Sequence, residues 1–225
     1  MSNKPVLVFD VNETLLDIDF LAPFFTEKWG TASAMRSWFA QTILYSQSFS
    51  LTGQYMPFGQ LGQSVLEMQA ALASVSLTKA DKEAFSALMQ TLPAHQDVRQ
   101  ALEELKAAGF SLCTLTNNSM EVQNAQLEHA GLASLFDRTF SVDEGAKAFK
   151  PAIETYRYVE REAGSDNRFC LVACHTWDVI GAKAADWDAA LIRRPHNAPL
   201  TVGLQPDFDC FDMTDFSRAV IAAYP

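Results

Sequence analysis

Four short runs of apolar residues, each ending in polar side chains, constrain the fold more than any other feature of the chain. They are VLVFD at 6–10, FSLCTLTNN at 110–118, FCLVACH at 169–175 and AALIRR at 189–194. Their apolar residues are nearly continuous instead of alternating, as is typical of parallel strands that are covered on both faces. A weaker run, RTFSV, lies at 138–142. The pattern predicts an α/β fold built on a parallel sheet.

Helical patterns separate these strands. Apolar residues over 98–108 form one stripe that Gly109 ends, a second pattern ends at Gly131, and Pro151 opens a third that runs to Gly164. Strand and helix alternate in this way in doubly wound sheets. We therefore predict a doubly wound, Rossmann-like core with a parallel sheet.

The segment between the first strand and this array has a different character. It is rich in aromatic and small residues, contains helix-compatible stretches, and has fewer charges than the 20% of the whole chain. We predict that residues 15–95 form a helical cap subdomain inserted into an α/β core domain of residues 1–14 and 96–225. The low charge also suggests packing against a second copy of the chain, so we expect a homodimer.

Composition limits the partners and the location. The 27 Asp and Glu residues exceed the 17 Lys and Arg residues, and the net charge of −10 disfavours binding to nucleic acid or an anionic membrane. No stretch approaches the ~20 apolar residues of a membrane-spanning helix, and the first residues do not resemble a signal peptide. The four cysteines form no CxxC pair and are expected to be free, buried thiols. These features predict a cytoplasmic protein.

Polar residues at the strand ends provide the candidate chemistry. Asp10 ends the first run, Thr116, Asn117 and Asn118 end the second, Lys150 precedes a helix, and His175–Asp178 ends the next run. Ligands of open α/β sheets bind at the carboxyl ends of the strands, and a lysine beside two carboxylates keeps them ionised, which would make Asp10 a nucleophile. Each residue taken alone also fits an ordinary turn, helix cap or solvated side chain. The ordered set favours a catalytic site.

The order of these motifs resembles the haloacid dehalogenase superfamily, with its strand-DxxxT, strand-[ST]N, KP-helix and acidic strand end. Most members of that superfamily are Mg²⁺-dependent phosphatases, in which a second Asp two residues after the nucleophile protonates the leaving alcohol. Here that position is Asn12, which has no proton to give. The segment CHTWDVIGA also has one acid where phosphatases commonly pair two to hold Mg²⁺. Both departures point to the 2-haloacid dehalogenase branch, which needs no metal or other cofactor because a leaving halide needs no proton.

The resemblance implies a role for each catalytic residue. Asp10 would attack C2 of a 2-haloalkanoate and form an aspartyl ester with inversion, which water would hydrolyse to a 2-hydroxyacid. Thr14 would orient that carboxylate, and Lys150 would keep it ionised. Arg36 matches the cap arginine that lies over the departing halide, and Asp178 would position or activate the hydrolytic water.

The resemblance also implies the substrate-binding residues. Thr116 stands where the family usually has the Ser that binds the substrate carboxylate, and Asn117 and Asn118 follow it in place of the family's Asn-Gly. Tyr156 would steady the charged cluster, and Trp177 would line the apolar part of the site. The expected substrate-binding set is Asn12, Thr116, Asn117, Asn118, Tyr156 and Trp177.

One position departs from the dehalogenase pattern. The family commonly reads Ser-Ser-Asn before its Trp-Asp segment, whereas this chain has His175 in place of the Asn. One hypothesis is that His175 is the base that activates the ester-cleaving water. The alternative is a neutral imidazole that makes the hydrogen bonds of the Asn.

Three functions are consistent with the sequence. The leading one is a hydrolase of short 2-haloacids, of the L enantiomer by resemblance. The second is a Mg²⁺-dependent phosphatase of the same superfamily that works without the usual acid. The third is a catalytically idle member that binds a partner through its apolar cap.

Overall fold

Six strands form one parallel sheet in the computed structural model, which describes residues 4–225. The strands are β1 (Val6–Phe9), β2 (Leu112–Thr116), β3 (Arg138–Ser141), β4 (Phe169–Ala173), β5 (Asp188–Ile192) and β6 (Phe208–Cys210). Their order in the sheet is β3-β2-β1-β4-β5-β6, and all five neighbouring pairs are parallel. The predicted doubly wound α/β fold is therefore confirmed. Of these six strands, β6 alone was not predicted, because its three residues are too short to give a pattern.

Helices occupy most of the remaining chain. They are α1 (Ala22–Trp29), α2 (Ser33–Leu51), α3 (Phe58–Leu72), α4 (Lys79–Gln90), α5 (Val98–Ala107), α6 (Met120–His129), α7 (Ile153–Ala163), α8 (Thr176–Ala184) and α9 (Met213–Ala223). Helices α5, α6 and α7 correspond to the three predicted patterns. The first four helices lie in the segment between β1 and β2.

Both faces of the sheet are buried, as the continuous apolar runs required. Along β1, Leu7 and Phe9 face one core cluster and Val8 faces another, because successive strand residues point to opposite faces. The first cluster contains apolar residues of α5 and α9, and the second contains those of α7 and α8. The polar residues that follow each strand therefore emerge together at one edge of the sheet.

The inserted helices pack around their own aromatic cluster. Trp38 makes ring contacts with Phe25 and Phe85, and its Nε1–H donates to the carbonyl of Gly62 at 2.9 Å. A Cβ at Gly62 would lie 3.3 Å from the Trp38 ring, so the small residue lets α2 and α3 approach closely. Trp38 is thus a core residue of the helices.

The insertion leaves and rejoins the sheet domain at one point. Leu16 and Ala94 form an antiparallel bridge, and the backbone N–H of His95 donates to the carbonyl of Leu15 at 2.9 Å. Farther along, the hydroxyl of Ser50 accepts a hydrogen bond from the backbone N–H of Phe149 at 2.8 Å. These contacts hold the inserted helices over the carboxyl edge of the sheet.

All four cysteines, Cys113, Cys170, Cys174 and Cys210, are free and buried. Among residues 4–225, no helix combines the length and the apolar character that crossing a lipid bilayer requires.

Candidate active site

Asp10 lies immediately after the central strand β1 and is 5% exposed. Its backbone N–H donates to the carbonyl of Val172 at 3.0 Å, which fixes the residue against β4. The Thr14 hydroxyl donates to Asp10 Oδ2 at 2.6 Å, and the Lys150 ammonium donates to Asp10 Oδ1 at 2.7 Å. Both carboxylate oxygens are therefore held in place.

Lys150 links the two acids that the sequence predicted at the strand ends. Its side chain is 1% exposed and donates to Asp10 Oδ1 at 2.7 Å and to Asp178 Oδ2 at 2.6 Å. Burial alone would raise the pKa of Asp10, but Lys150 and His175 outweigh it and hold that pKa far below its ordinary value. Burial lowers the pKa of Lys150, and the two carboxylates raise it by more. Asp10 is therefore ionised at neutral pH, as a nucleophile must be.

Asp178 has both carboxylate oxygens occupied. Lys150 bonds Oδ2, and the Tyr156 hydroxyl donates to Oδ1 at 2.6 Å. Burial raises the pKa of Asp178, and the bonds from Lys150 and Tyr156 oppose that shift. This arrangement places Tyr156 in the charged cluster, where it steadies Asp178.

The remaining predicted binding residues surround a small cavity beside Asp10. The cavity has a volume of about 20 Å³ and is lined by Asp10, Asn12, Phe39, Ile43, Phe58, Thr116, Asn117, Asn118, His175 and Trp177. Asn117 Oδ1 accepts the backbone N–H of Lys150 at 3.0 Å, and Thr116 Oγ1 accepts the backbone N–H of Asn118 at 3.2 Å. The predicted Trp177 is in this wall, together with Phe39 and Phe58 from the inserted helices.

Asn12 and Asn118 share a partner that sequence reasoning missed. Gln126, on α6, donates from Nε2 to Asn12 Oδ1 at 3.1 Å and accepts from Asn118 Nδ2 at 3.4 Å. The amide at position 12 is thus held by another amide. A carboxylate at position 12 would have an amide as its partner and no positively charged side chain.

His175 lies between two carboxylates. Its Nε2 is 2.8 Å from Glu13 Oε2, and its Nδ1 is 3.2 Å from Asp10 Oδ2 without hydrogen-bond geometry. Burial lowers the pKa of His175, and the surroundings of Cys174, Asp10 and Glu13 raise it well above the ordinary value. Burial raises the pKa of the Cys174 thiol and keeps it neutral, so we attribute the shift of His175 to the two carboxylates.

Glu13 is the second residue that sequence reasoning missed. It is 4% exposed and has a positive φ of 68°, and its carboxylate bonds both His175 and the guanidinium of Arg36. The available signal was the position of Glu13 inside the Asp10–Thr14 motif loop. Its partners, however, lie 162 and 23 residues away in the sequence.

Arg36, from α2, lies on the outer side of His175. It ion-pairs with Glu13 and with Asp19, at 2.6 Å from Asp19 Oδ1, and it lines a wider pocket of about 520 Å³ together with His175 and Trp177. Its Nε is buried and has no hydrogen-bond partner within residues 4–225. One N–H donor of the guanidinium is therefore unpaired and enclosed by protein, and Arg36 does not line the small cavity beside Asp10.

Arg194 is a further residue that sequence reasoning missed. Its Nη2 and Nε donate to the carbonyl of Thr14 at 2.9 and 3.1 Å, and its Nη1 makes two 2.9 Å bonds to the carboxylate of Asp97. The side chain is 7% exposed. Arg194 thereby fixes the backbone of the loop that carries Thr14.

The donor groups at the site do not suit Mg²⁺. In the described part of the chain, one group of potential ligands, Asp10, Cys174 and His175, has its donor atoms within 4.8 Å of one another. A hard cation prefers several oxygen ligands, whereas this set has one carboxylate, already bonded to Lys150, and one thiol. The oxygens of Asp178 are also bonded. The residues present do not fit the metal site of a phosphatase.

A doubly wound parallel sheet with a buried, lysine-bound carboxylate at the end of its central strand defines an enzyme of the α/β class. The profile of haloacid dehalogenase-like hydrolases matches residues 5–186. This chain belongs to the haloacid dehalogenase-like hydrolase family.

Individual relatives agree with this assignment. The chain is 31% identical over 192 residues to (S)-2-haloacid dehalogenase 1 of Pseudomonas sp. (strain CBS-3), covering 83% of each chain. It is 28% identical over 195 residues to (S)-2-haloacid dehalogenase 4A of Burkholderia cepacia, covering 85% of this chain and 84% of that one. The L-2-haloacid dehalogenase of Xanthobacter autotrophicus has a similar fold, with a TM-score of 0.88, 23% identity, and coverage of 96% and 98%. That enzyme has also been solved with chloropropionic acid covalently bound.

Proposed function

We propose that this protein is a hydrolytic dehalogenase that converts short 2-haloacids, of the L configuration, to 2-hydroxyacids. The observation that carries the proposal is the state of Asp10, which is ionised, held by Lys150 and Thr14, and open to a cavity. Two residues away, an amide replaces the acid that a phosphate ester would need. The named (S)-2-haloacid dehalogenases among the relatives support the same reaction.

In the first step, a carboxylate oxygen of Asp10 attacks C2 of the substrate in line with the carbon–halogen bond. The carbon–oxygen bond forms as the halide leaves with its electron pair, so C2 is inverted and no proton is needed. We assign Arg36 to the departing halide because its Nε–H is buried and unpaired. The substrate carboxylate is assigned to Thr116, whose hydroxyl accepts from the N–H of Asn118 and can donate its own hydrogen.

In the second step, water attacks the Cγ of the Asp10 ester, and the ester bond to the product oxygen breaks. The 2-hydroxyacid leaves and the Asp10 carboxylate is restored. Asp178 and Tyr156 act through Lys150: Asp178 accepts a hydrogen bond from Lys150, and Tyr156 donates one to Asp178. The wall of Phe39, Phe58 and Trp177 excludes bulk water from the ester.

The test is halide release from L- and D-2-chloropropionate and from fluoroacetate, with chelator and without added metal. Wild type is expected to release halide from the L enantiomer, and Asp10→Asn is expected to release none. Asp186→Asn is the matched control, because that carboxylate is 91% exposed and ion-pairs with Arg157, which is not a residue of the site. A single turnover in ¹⁸O-water should label the Asp10 carboxylate, because water attacks the enzyme's carbon and not the substrate's.

Two results would overturn the proposal. The first is release of phosphate from phosphate esters that depends on Mg²⁺ and on Asp10, which would identify a phosphatase. The second is full halide release by Asp10→Asn. A folded wild-type protein without any turnover would favour the idle, partner-binding alternative.

We also propose that residues 15–95 act as a cap, that the protein is a homodimer, and that it works in the cytoplasm. The bridge between Leu16 and Ala94 supports the boundaries of the cap. Leu51 and Leu72, at the ends of α2 and α3, are 88% and 78% exposed and could be covered by a second copy. Four free cysteines suit a reducing compartment. Sedimentation equilibrium of wild type and of Leu51→Asp tests the dimer, which the variant should weaken.

A further inference from the structure

We propose that Glu13 is a positioning residue for the second half-reaction: it holds His175 so that the Nδ1 atom takes a proton from the water that hydrolyses the Asp10 ester. This inference rests on the proposed dehalogenation and adds one residue and one step to it. It also makes His175 the base, and not a substitute for an amide.

The first argument is the placement of Glu13. A buried residue with a φ of 68° lies in the left-handed region, which Gly or Asn adopts more easily than Glu. The backbone N–H of Glu13 donates to the carbonyl of Leu16 at 2.8 Å, and its carbonyl lies 3.0 Å from His95 Nε2. The surrounding loop therefore enforces this conformation. Its result is a carboxylate that points at an imidazole.

The second argument is the orientation of the imidazole. Glu13 Oε2 accepts from His175 Nε2–H at 2.8 Å, so Nδ1 is the nitrogen that is left to exchange a proton. The ring stacks on Trp177, with centroids 4.8 Å apart and an interplanar angle of 20°, and it contacts Phe39 at 5.6 Å. The plane of the ring is thus fixed from three sides.

The Nδ1 atom of His175 faces the nucleophile. It is buried, lacks a hydrogen-bond partner within residues 4–225, and lies 3.2 Å from Asp10 Oδ2. His175 also lines the small cavity beside that carboxylate, so Nδ1 borders the space in which the ester forms. A water that enters this space beside the ester would contact both Nδ1 and the Cγ atom of Asp10.

The proton balance follows from the charges. While Asp10 is a carboxylate, the ring lies between two negative groups and carries a proton on each nitrogen. Forming the ester removes the charge of Asp10, and the Nδ1 proton is released to solvent. This is the proton that the overall hydrolysis of a haloacid produces together with the halide.

Hydrolysis then uses the vacated nitrogen. As the water oxygen bonds to Cγ of Asp10, one of its protons moves to His175 Nδ1. That proton passes to the product oxygen as the ester carbon–oxygen bond breaks, and the hydroxyacid leaves. The other water proton stays on the new Asp10 carboxyl and returns to Nδ1, which restores the starting state. Glu13 keeps its bond to Nε2–H throughout.

The experiment separates the two half-reactions in Glu13→Gln. Gln keeps the size of the side chain and removes its charge. Rapid mixing with L-2-chloropropionate should give a normal first burst of chloride, while steady-state turnover falls about 10- to 100-fold, as expected for a residue that orients a catalytic group. Intact-protein mass spectrometry should show the Asp10 ester accumulating. His175→Asn should accumulate the same ester with a larger loss of turnover.

Asp19→Asn is the matched control. Asp19 is the other carboxylate that ion-pairs with Arg36, and within residues 4–225 it forms no hydrogen bond or ion pair with His175. Its variant tests whether losing a charge beside Arg36 is enough to cause the effect, and it should accumulate no ester. ¹⁵N-histidine spectra, assigned with His175→Asn, should show the Nε2–H signal of His175 shifted in Glu13→Gln.

The outcomes are distinguishable. If wild type releases no halide at all, the proposed function fails. If wild type is active but Glu13→Gln is unchanged, or lowers the burst and the turnover equally, the role of Glu13 fails and the reaction stands. If Glu13→Gln does not fold, unaltered turnover without ester in His175→Asn would still overturn the inference.

Discussion

Replacing Lys150 with Met removes the ammonium that bonds the two buried acids Asp10 and Asp178. The ammonium is 1% exposed, and it lies 2.7 Å from Asp10 Oδ1 and 2.6 Å from Asp178 Oδ2. In the variant, both carboxylates stay buried without the ammonium that neutralised them. Breaking a buried ion pair by removing one partner costs about 3–5 kcal/mol, so the free energy of unfolding at pH 7 should fall by about that amount.

The loss should depend on pH with a definite sign. In wild type, Lys150 and His175 hold the pKa of Asp10 below its ordinary value, so this contribution to stability is present above the unfolded pKa and is lost as pH falls. In Lys150→Met, burial and mutual repulsion raise the pKa of the acids, so the folded variant takes up protons more readily than the unfolded chain. Acidification from pH 7 to 5 should therefore narrow the difference between variant and wild type.

Urea unfolding at pH 7 and at pH 5, followed by tryptophan fluorescence, measures both effects. Lys79→Met is the control, because that ammonium is 89% exposed and lies 3.6 Å from Glu83. It should be indistinguishable from wild type at either pH. A Lys150→Met variant as stable as this control at pH 7, or one whose deficit grows on acidification, would refute the reasoning.

Four further substitutions, one of them a control, test other parts of the structure. Thr14→Val removes the hydroxyl that holds the nucleophile at 2.6 Å and should slow halide release about 10- to 100-fold with the fold intact by circular dichroism. Gly181→Ala would place a methyl group 2.5 Å from the Tyr156 hydroxyl, so urea titrations should show a free energy of unfolding lower by about 1–3 kcal/mol. Gly59 has open space around it, so Gly59→Ala should raise the free energy of unfolding by about 0.5–1 kcal/mol. Arg194→Met should lower the melting temperature and slow turnover, because the carbonyl of Thr14 loses two hydrogen bonds from the guanidinium. An unchanged melting temperature would contradict this prediction.

The strand ends could be predicted from sequence because one physical constraint acts on all of them. A parallel strand is covered on both faces, so its apolar run is continuous and stops where the chain reaches the edge of the sheet. Asp10 and Asn117 follow such stops and Lys150 precedes the next helix, and the structure brings the three residues into contact. The motif order then indicated the dehalogenase branch.

The partners of those residues could not be predicted in the same way. Glu13 meets His175 across 162 residues, and Arg194 meets Asp97 across 97, and no local pattern encodes either distance. Gln126 lies on a helix that was predicted, but only the packing of α6 beside the β1 loop shows which face it presents. Side-chain networks of this kind depend on the assembled fold.

The place of β1 in the sheet also has a consequence for biosynthesis. Its two neighbours, β2 and β4, begin at residues 112 and 169, so β1 leaves the ribosome long before it has a neighbour on either side. Until then, VLVF offers an unpaired apolar edge of the kind that promotes aggregation. During translation, the growing chain must therefore shield β1 before either lateral partner exists, and the four helices made next are the first material available to do so.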